Sequence, residues 1–109
     1  MAVDVTDATF QTEVVDRSNS VAVIVDLWAP WCGPCRTLGP ILEKATDATG
    51  GKVVLVKVNI DENPAISQAF EVQSIPMIGL FRNGRMERSA LGAKPRQQLE
   101  AELGMLVIP

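Results

Sequence analysis

Histidine and tyrosine are absent from the 109 residues, and cysteine occurs only twice. Without His and with two thiols, one copy of the chain cannot complete a four-ligand zinc or iron–sulfur site; a metal would need two chains bridged through four thiolates. No run of Lys or Arg occurs and the formal net charge is −3, so nothing favours nucleic acid or an anionic membrane. No stretch approaches the about 18 consecutive apolar residues of a membrane span. The start, Met1-Ala2-Val3-Asp4, lacks a basic and then apolar signal region, which leads us to expect a cytoplasmic protein. There are no internal repeats and no linker, and residues 1–109 read as one domain.

What is present centres on Trp31-Cys32-Gly33-Pro34-Cys35, which holds both thiols. A disulfide closed over two intervening residues constrains little of an unfolded chain, so a purely structural role is a poor explanation for it. In a reducing compartment a Cys pair is more often catalytic than structural. The spacing therefore points to a reactive dithiol.

The surrounding pattern places that dithiol. Val21 to Trp28 alternates Val21, Val23, Val25 and Leu27 with Ala22, Ile24, Asp26 and Trp28. Both faces are apolar apart from Asp26, which predicts a central strand covered on each side. Asp26 is then buried, with a raised pKa or a nearby partner; the alternative is a solvated Asp at a sheet edge. A helix is expected from Cys32 to Ala48, with an apolar stripe of Leu38, Ile41, Leu42 and Ala45. Counting back by three from Leu38 puts Cys35 on the core side. Cys32 falls at the helix start, where free N–H groups and the dipole favour a thiolate, and is expected to be exposed. Pro40 predicts a kink.

A second strand, Lys52 to Ile60, carries Lys57 inside an apolar run. If it lies parallel to the first, Asp26 and Lys57 approach one another and form a pair. Thr6 or Asp7 is expected to cap a first helix containing Phe10 and Val14, and a short strand can precede it at Val3 to Val5. Pro64 opens a short helix reaching Phe70. Pro76 opens a strand, Met77 to Arg82, and the Ile75–Pro76 bond can be cis. Asn83-Gly84 predicts a hairpin, Leu91-Gly92-Ala93 a loop, and Pro95 the start of a last helix with Leu99, Leu103 and Leu106 on one stripe. This order implies a three-layer α/β/α sandwich around a mixed sheet of four to five strands, with the dithiol where a central strand ends and a helix begins.

Over nearly its whole length the chain resembles the thioredoxin family. The resemblance rests on the strand bearing Asp26, Trp28-Ala29-Pro30-Trp31-Cys32-Gly33-Pro34-Cys35, Pro40, Lys57, Ile75-Pro76, Phe81-Arg82-Asn83-Gly84 and Gly92-Ala93. It implies the thioredoxin fold and reduction of protein disulfides, in which Cys32 attacks and Cys35 resolves. It further implies that Asp26 acts as base with Lys57 tuning it, and that a cis Pro76 faces the disulfide. Trp31, Gly33, Pro34, Ile75, Gly92 and Ala93 would receive the substrate. No cofactor is implied; electrons would come from a flavin-dependent, NADPH-linked thioredoxin reductase, and the chain would act as a monomer. Met77 where the family usually has Thr, Pro30 in place of a commonly polar residue, and the missing Tyr are departures that would bear on partner choice. A second reading starts from the apolar end, Met105-Leu106-Val107-Ile108-Pro109: an interaction module of a longer redox chaperone.

Overall fold

The computed structural model describes residues 2–108, so Met1 and Pro109, which belong to the two terminal stretches read above, lie outside the described residues. Five strands, β1 (Val3–Asp4), β2 (Ala22–Trp28), β3 (Val53–Asn59), β4 (Met77–Arg82) and β5 (Arg85–Leu91), form a mixed sheet in the order β1-β3-β2-β4-β5. β1 and β2 both run parallel to β3, while β4 is antiparallel to β2 and to β5. β2 thus occupies the centre, as its two apolar faces require.

The alternation along β2 sorts the core into two. Ala22 and Ile24 pack with Leu38, Leu42, Ala45, Leu99 and Leu103 from helices α1 (Gly33–Asp47) and α3 (Arg96–Glu102). Val23, Val25 and Leu27 pack on the other face with Val14, Val56, Val58, Phe81 and Ile66 of helix α2 (Pro64–Ala69). Phe10, Phe70 and Phe81 meet there as a three-ring cluster with centroids 5.6 to 5.7 Å apart. Each fully buried Leu, Ile or Phe contributes about 1.5–3 kcal/mol, so the two layers hold the sheet from both sides.

Several local expectations need correction. The first helical segment is Gln11–Asp16, wound in the wide i→i+5 manner and followed by a 3-10 turn, Arg17–Asn19. Neither Thr6 nor Asp7 caps it. The Asp7 carboxylate instead accepts from the N–H groups of Ala65 and Ile66, and so caps α2, while Asn63 Oδ1 accepts from the Asp7 N–H. The turn that ends this segment also anchors the hairpin: buried Ser18 accepts from Asn83 N through its carbonyl and from Gly84 N through Oγ. Asn83 and Gly84 both take positive φ (56° and 83°), the turn that Asn-Gly favours. Leu91 is the last residue of β5, opposite Met77, so the loop begins at Gly92.

At the other end, Gly104 adopts the left-handed conformation and stops α3. Met105 therefore turns inward, whereas Leu106 leaves the expected stripe and is 75% exposed. α1 continues through Pro40, which lies on its exposed side. Among the described residues no helix is long and apolar enough to cross a membrane.

Candidate functional site

The sheet brings the C-terminal end of β2 against the first turn of α1, and there Cys32 and Cys35 form a disulfide with Cα atoms 5.3 Å apart. Cys32 is the N-cap of α1, and its Sγ accepts a hydrogen bond from the Cys35 N–H at 3.2 Å. Gly33 and Pro34 fill the first turn, where proline forfeits no helical bond, and both are exposed. Cys35 is buried on the core side as the stripe predicts. Cys32 is not exposed: only 4% of its surface is free, because both sulfurs pack with fully buried Ala29 against Trp28, Ile60 and Ile75. Position at a helix start guarantees unpaired N–H groups, not solvent, and the neighbours that cover Cys32 come from three other segments.

Asp26 and Lys57 are direct neighbours across the parallel β2–β3 ladder. Asp26 is wholly buried, and its desolvation pushes the carboxyl up from 3.8 to about 6, with the Lys57 charge opposing that rise. The expected pair is nonetheless not a hydrogen-bonded one. The Lys57 ammonium stands 4.7 Å over the Trp28 ring, in cation–π contact, and neither Asp26 oxygen has a hydrogen-bond partner among the described residues. The ammonium also lies beside Gly39 of α1, where a Cβ would stand at an ordinary contact distance of 3.8 Å from Nζ. A cavity of about 360 Å³, lined by Trp28, Pro30, Lys57, Asn59 and Glu62 among others, opens beside it. Pro30 thus faces this side cavity.

The Ile75–Pro76 bond is cis, and the buried Pro76 accepts from the Gly92 N–H through its carbonyl at 2.9 Å. That bond ties the 92–95 loop, with exposed Ala93, to the proline. Trp31, 67% exposed, donates its indole N–H to Asp61 at 3.0 Å. Trp31, Ile60, Val72, Gln73, Ser74 and Ile75 line a cavity of about 300 Å³. Sequence reading found Trp31 and Ile75 but missed Asp61, Ile60 and Val72. Nothing local marks them, because their approach to Trp31 depends on how distant segments fold together.

Comparison with known proteins completes the picture. The family model described as thioredoxin matches residues 1–104. Thioredoxin of Alicyclobacillus acidocaldarius is 44% identical over 98 residues, 90% of each chain. Thioredoxin 1 of Nostoc sp. is 42% identical over 102 residues, 94% of each. Thioredoxin of Streptomyces clavuligerus is 43% identical over 96 residues, 88% of this chain and 87% of that one.

Proposed function

The chain belongs to the thioredoxin family and is a thiol-disulfide oxidoreductase acting on protein disulfides, and from that premise we propose how the chemistry divides among its residues. In the reduced form the Cys32 thiolate attacks one sulfur of a polypeptide disulfide. A Cys32–substrate bond forms, and the other substrate sulfur leaves as a thiolate. Cys35, deprotonated, then attacks Cys32 Sγ, restoring the Cys32–Cys35 disulfide and releasing the second substrate thiolate. The substrate gains two electrons and the dithiol loses them.

The observation that carries this assignment is the Cys35 N–H donated to Cys32 Sγ at the helix N-cap. A hydrogen bond and the helix dipole both lower the energy of negative charge on that sulfur. Near neutral pH a carboxyl titrating at about 6 is largely ionised, so Asp26 takes the proton that Cys35 must lose. Lys57 holds the Asp26 pKa down from where burial alone would put it. Pro76, Ile75, Gly92 and Ala93, together with Trp31, Gly33 and Pro34, seat the substrate chain.

The family implies thioredoxin reductase as electron donor and disulfide proteins as substrates. The finer reading is a flavin-dependent, NADPH-linked reductase serving a cytoplasmic monomer that carries no cofactor. The reductase reading prevails over that of a chaperone module, since thioredoxins match over 90% and 94% of their own lengths. Cys35→Ser should accumulate mixed disulfides on Cys32, visible by mass spectrometry, and should lose insulin-disulfide turnover by more than about 10³-fold, since the resolving step is removed. Trapping on Cys35 in Cys32→Ser instead would reverse the division of labour.

A further inference from the structure

A cavity of about 340 Å³ lies at the end of the sheet away from the dithiol, between the turn that leads into β2, Lys52 just before β3, and the β4–β5 hairpin. Antiparallel pairing brings Arg82, the last residue of β4, to the beginning of β2. The seven residues of β2, about 20 Å of extended chain, then separate the cavity from the cysteines. Its lining carries two cations, Lys52 and Arg82, and no Asp or Glu among the described residues, in a chain whose net charge is −3. Lys52 is exposed and has no ion pair or hydrogen bond among the described residues. Arg82 is half-buried, and its ion-pair partner Glu87 stands 3.9 Å from Nε, beyond hydrogen-bond range and outside the lining. Asn19, Ser20 and Asn83 line the cavity too, and their side chains hydrogen-bond to nothing else in the described chain. Ser18 holds these groups in register by fastening the turn to the Asn83 and Gly84 amides. The rest of the wall includes apolar Val21, Ala22 and Ile108.

We propose that this cavity binds a small organic phosphate, with the phosphoryl group on Lys52 and Arg82 and the organic part against Val21, Ala22 and Ile108. A phosphate monoester carries close to two negative charges at neutral pH, which two cations balance, whereas a carboxylate carries one. The guanidinium presents paired N–H donors to two phosphate oxygens, the ammonium supplies a point charge, and the Ser20 hydroxyl and the two Asn amides serve the remaining oxygen. The volume falls at the small end of the range for ligand cavities, about 300–1,000 Å³, and so suits a phosphate carrying a single ring or a short chain. Because the site lies a strand's length from the cysteines, its ligand takes no part in disulfide exchange. Binding instead ties the turn, the start of β3 and the hairpin together, and stabilises the native state by mass action.

Amide NMR of the isotope-labelled protein at low ionic strength tests it, with phenyl phosphate, inorganic phosphate and benzoate as probes. Phenyl phosphate should give saturable shifts at Ser20, Lys52 and Asn83, raise the melting temperature, and leave the rate of insulin-disulfide reduction unchanged. Inorganic phosphate lacks the apolar half of the match and benzoate the second charge, so each should bind at least about fivefold more weakly. Lys52→Gln and Arg82→Gln should each weaken phenyl phosphate roughly five- to tenfold, as expected of one charge a few ångströms away near water. At about 0.5 M salt the affinity should fall in the parent protein as well. Lys52 is exposed and unpaired, so Lys52→Gln should keep the parent's melting temperature without ligand, and it remains decisive if Arg82→Gln folds poorly. No saturable shift, an affinity untouched by Lys52→Gln, or shifts centred on Cys32 and Ile75 overturn the proposal. Inorganic phosphate or benzoate binding as tightly as phenyl phosphate overturns the ligand class.

Discussion

The two faces of β2 are built from the same strand and solve different problems. On the α2 face, Val23, Val25 and Leu27 meet Val56, Val58 and three phenylalanine rings, and the buried polar residue at the start of α2, Asn63, is hydrogen-bonded to Asp7 and Asn59. On the α1 face, Ala22 and Ile24 continue into Asp26, whose two oxygens are buried without a hydrogen-bond partner. One face maximises burial and the other accepts a carboxyl without a hydrogen-bond partner, eased only by the Lys57 charge. The contrast teaches that stability and reactivity are allotted to opposite sides of a single strand, with the polar face weakening what the apolar face supplies.

Phe81→Ala should break the comparison on the stable side. The ring is buried at the centre of the aromatic cluster, so chemical denaturation should show a loss of about 3–5 kcal/mol. Disulfide reduction per folded molecule should change little.

Asp26→Asn should act in the opposite sense. A folded-state pKa raised from 3.8 to about 6 means that Asp26 favours the native state below pH 4 and that this advantage disappears as pH rises through 6. At pH 7 the variant should be more stable by about 3 kcal/mol, the free-energy equivalent of that shift, and the gain should vanish towards pH 4. Its turnover should slow most near neutrality. Equal stability at both pH values would show that Asp26 is not the uncompensated group.

Lys57→Met should give the smallest effect and sharpen the contrast. It replaces the ammonium over Trp28 with an unbranched apolar chain and removes the charge that opposes desolvation of Asp26. The Asp26 carboxyl, followed by NMR, should therefore titrate higher than about 6, and the alkaline rise in turnover should move the same way.

Much of this division was legible in the sequence because it depends on period-two alternation. Asp26 and Lys57 each interrupt an apolar run, and parallel pairing places them side by side. Cys35 on the core side followed from helical counting, and Asn83-Gly84 from turn chemistry. What escaped was set by contacts between distant segments. Cys32 is covered by Ala29, Ile60 and Ile75; Asp7 caps a helix that begins 57 residues later; Trp31 finds its acceptor at Asp61. Leu106 was misplaced for a local reason, since Gly104 takes a conformation that ends the helical count. The cis form of Ile75–Pro76 came from family resemblance alone.

The Asp7 cap has a consequence for how the molecule comes apart. α2 is six residues long with no side-chain cap of its own at Asn63, too short to persist alone in water. Its first amides are held by a carboxylate from the amino-terminal segment. Detachment of that segment and fraying of α2 are therefore one cooperative opening, and the amides of Ala65 and Ile66 exchange with solvent at the rate at which the chain's beginning lifts away. The segment that carries Val72 follows this helix directly. The segment bearing Asp7, far from the cysteines in sequence, thus bears on how long the Val72 wall of the cavity beside Trp31 stays folded.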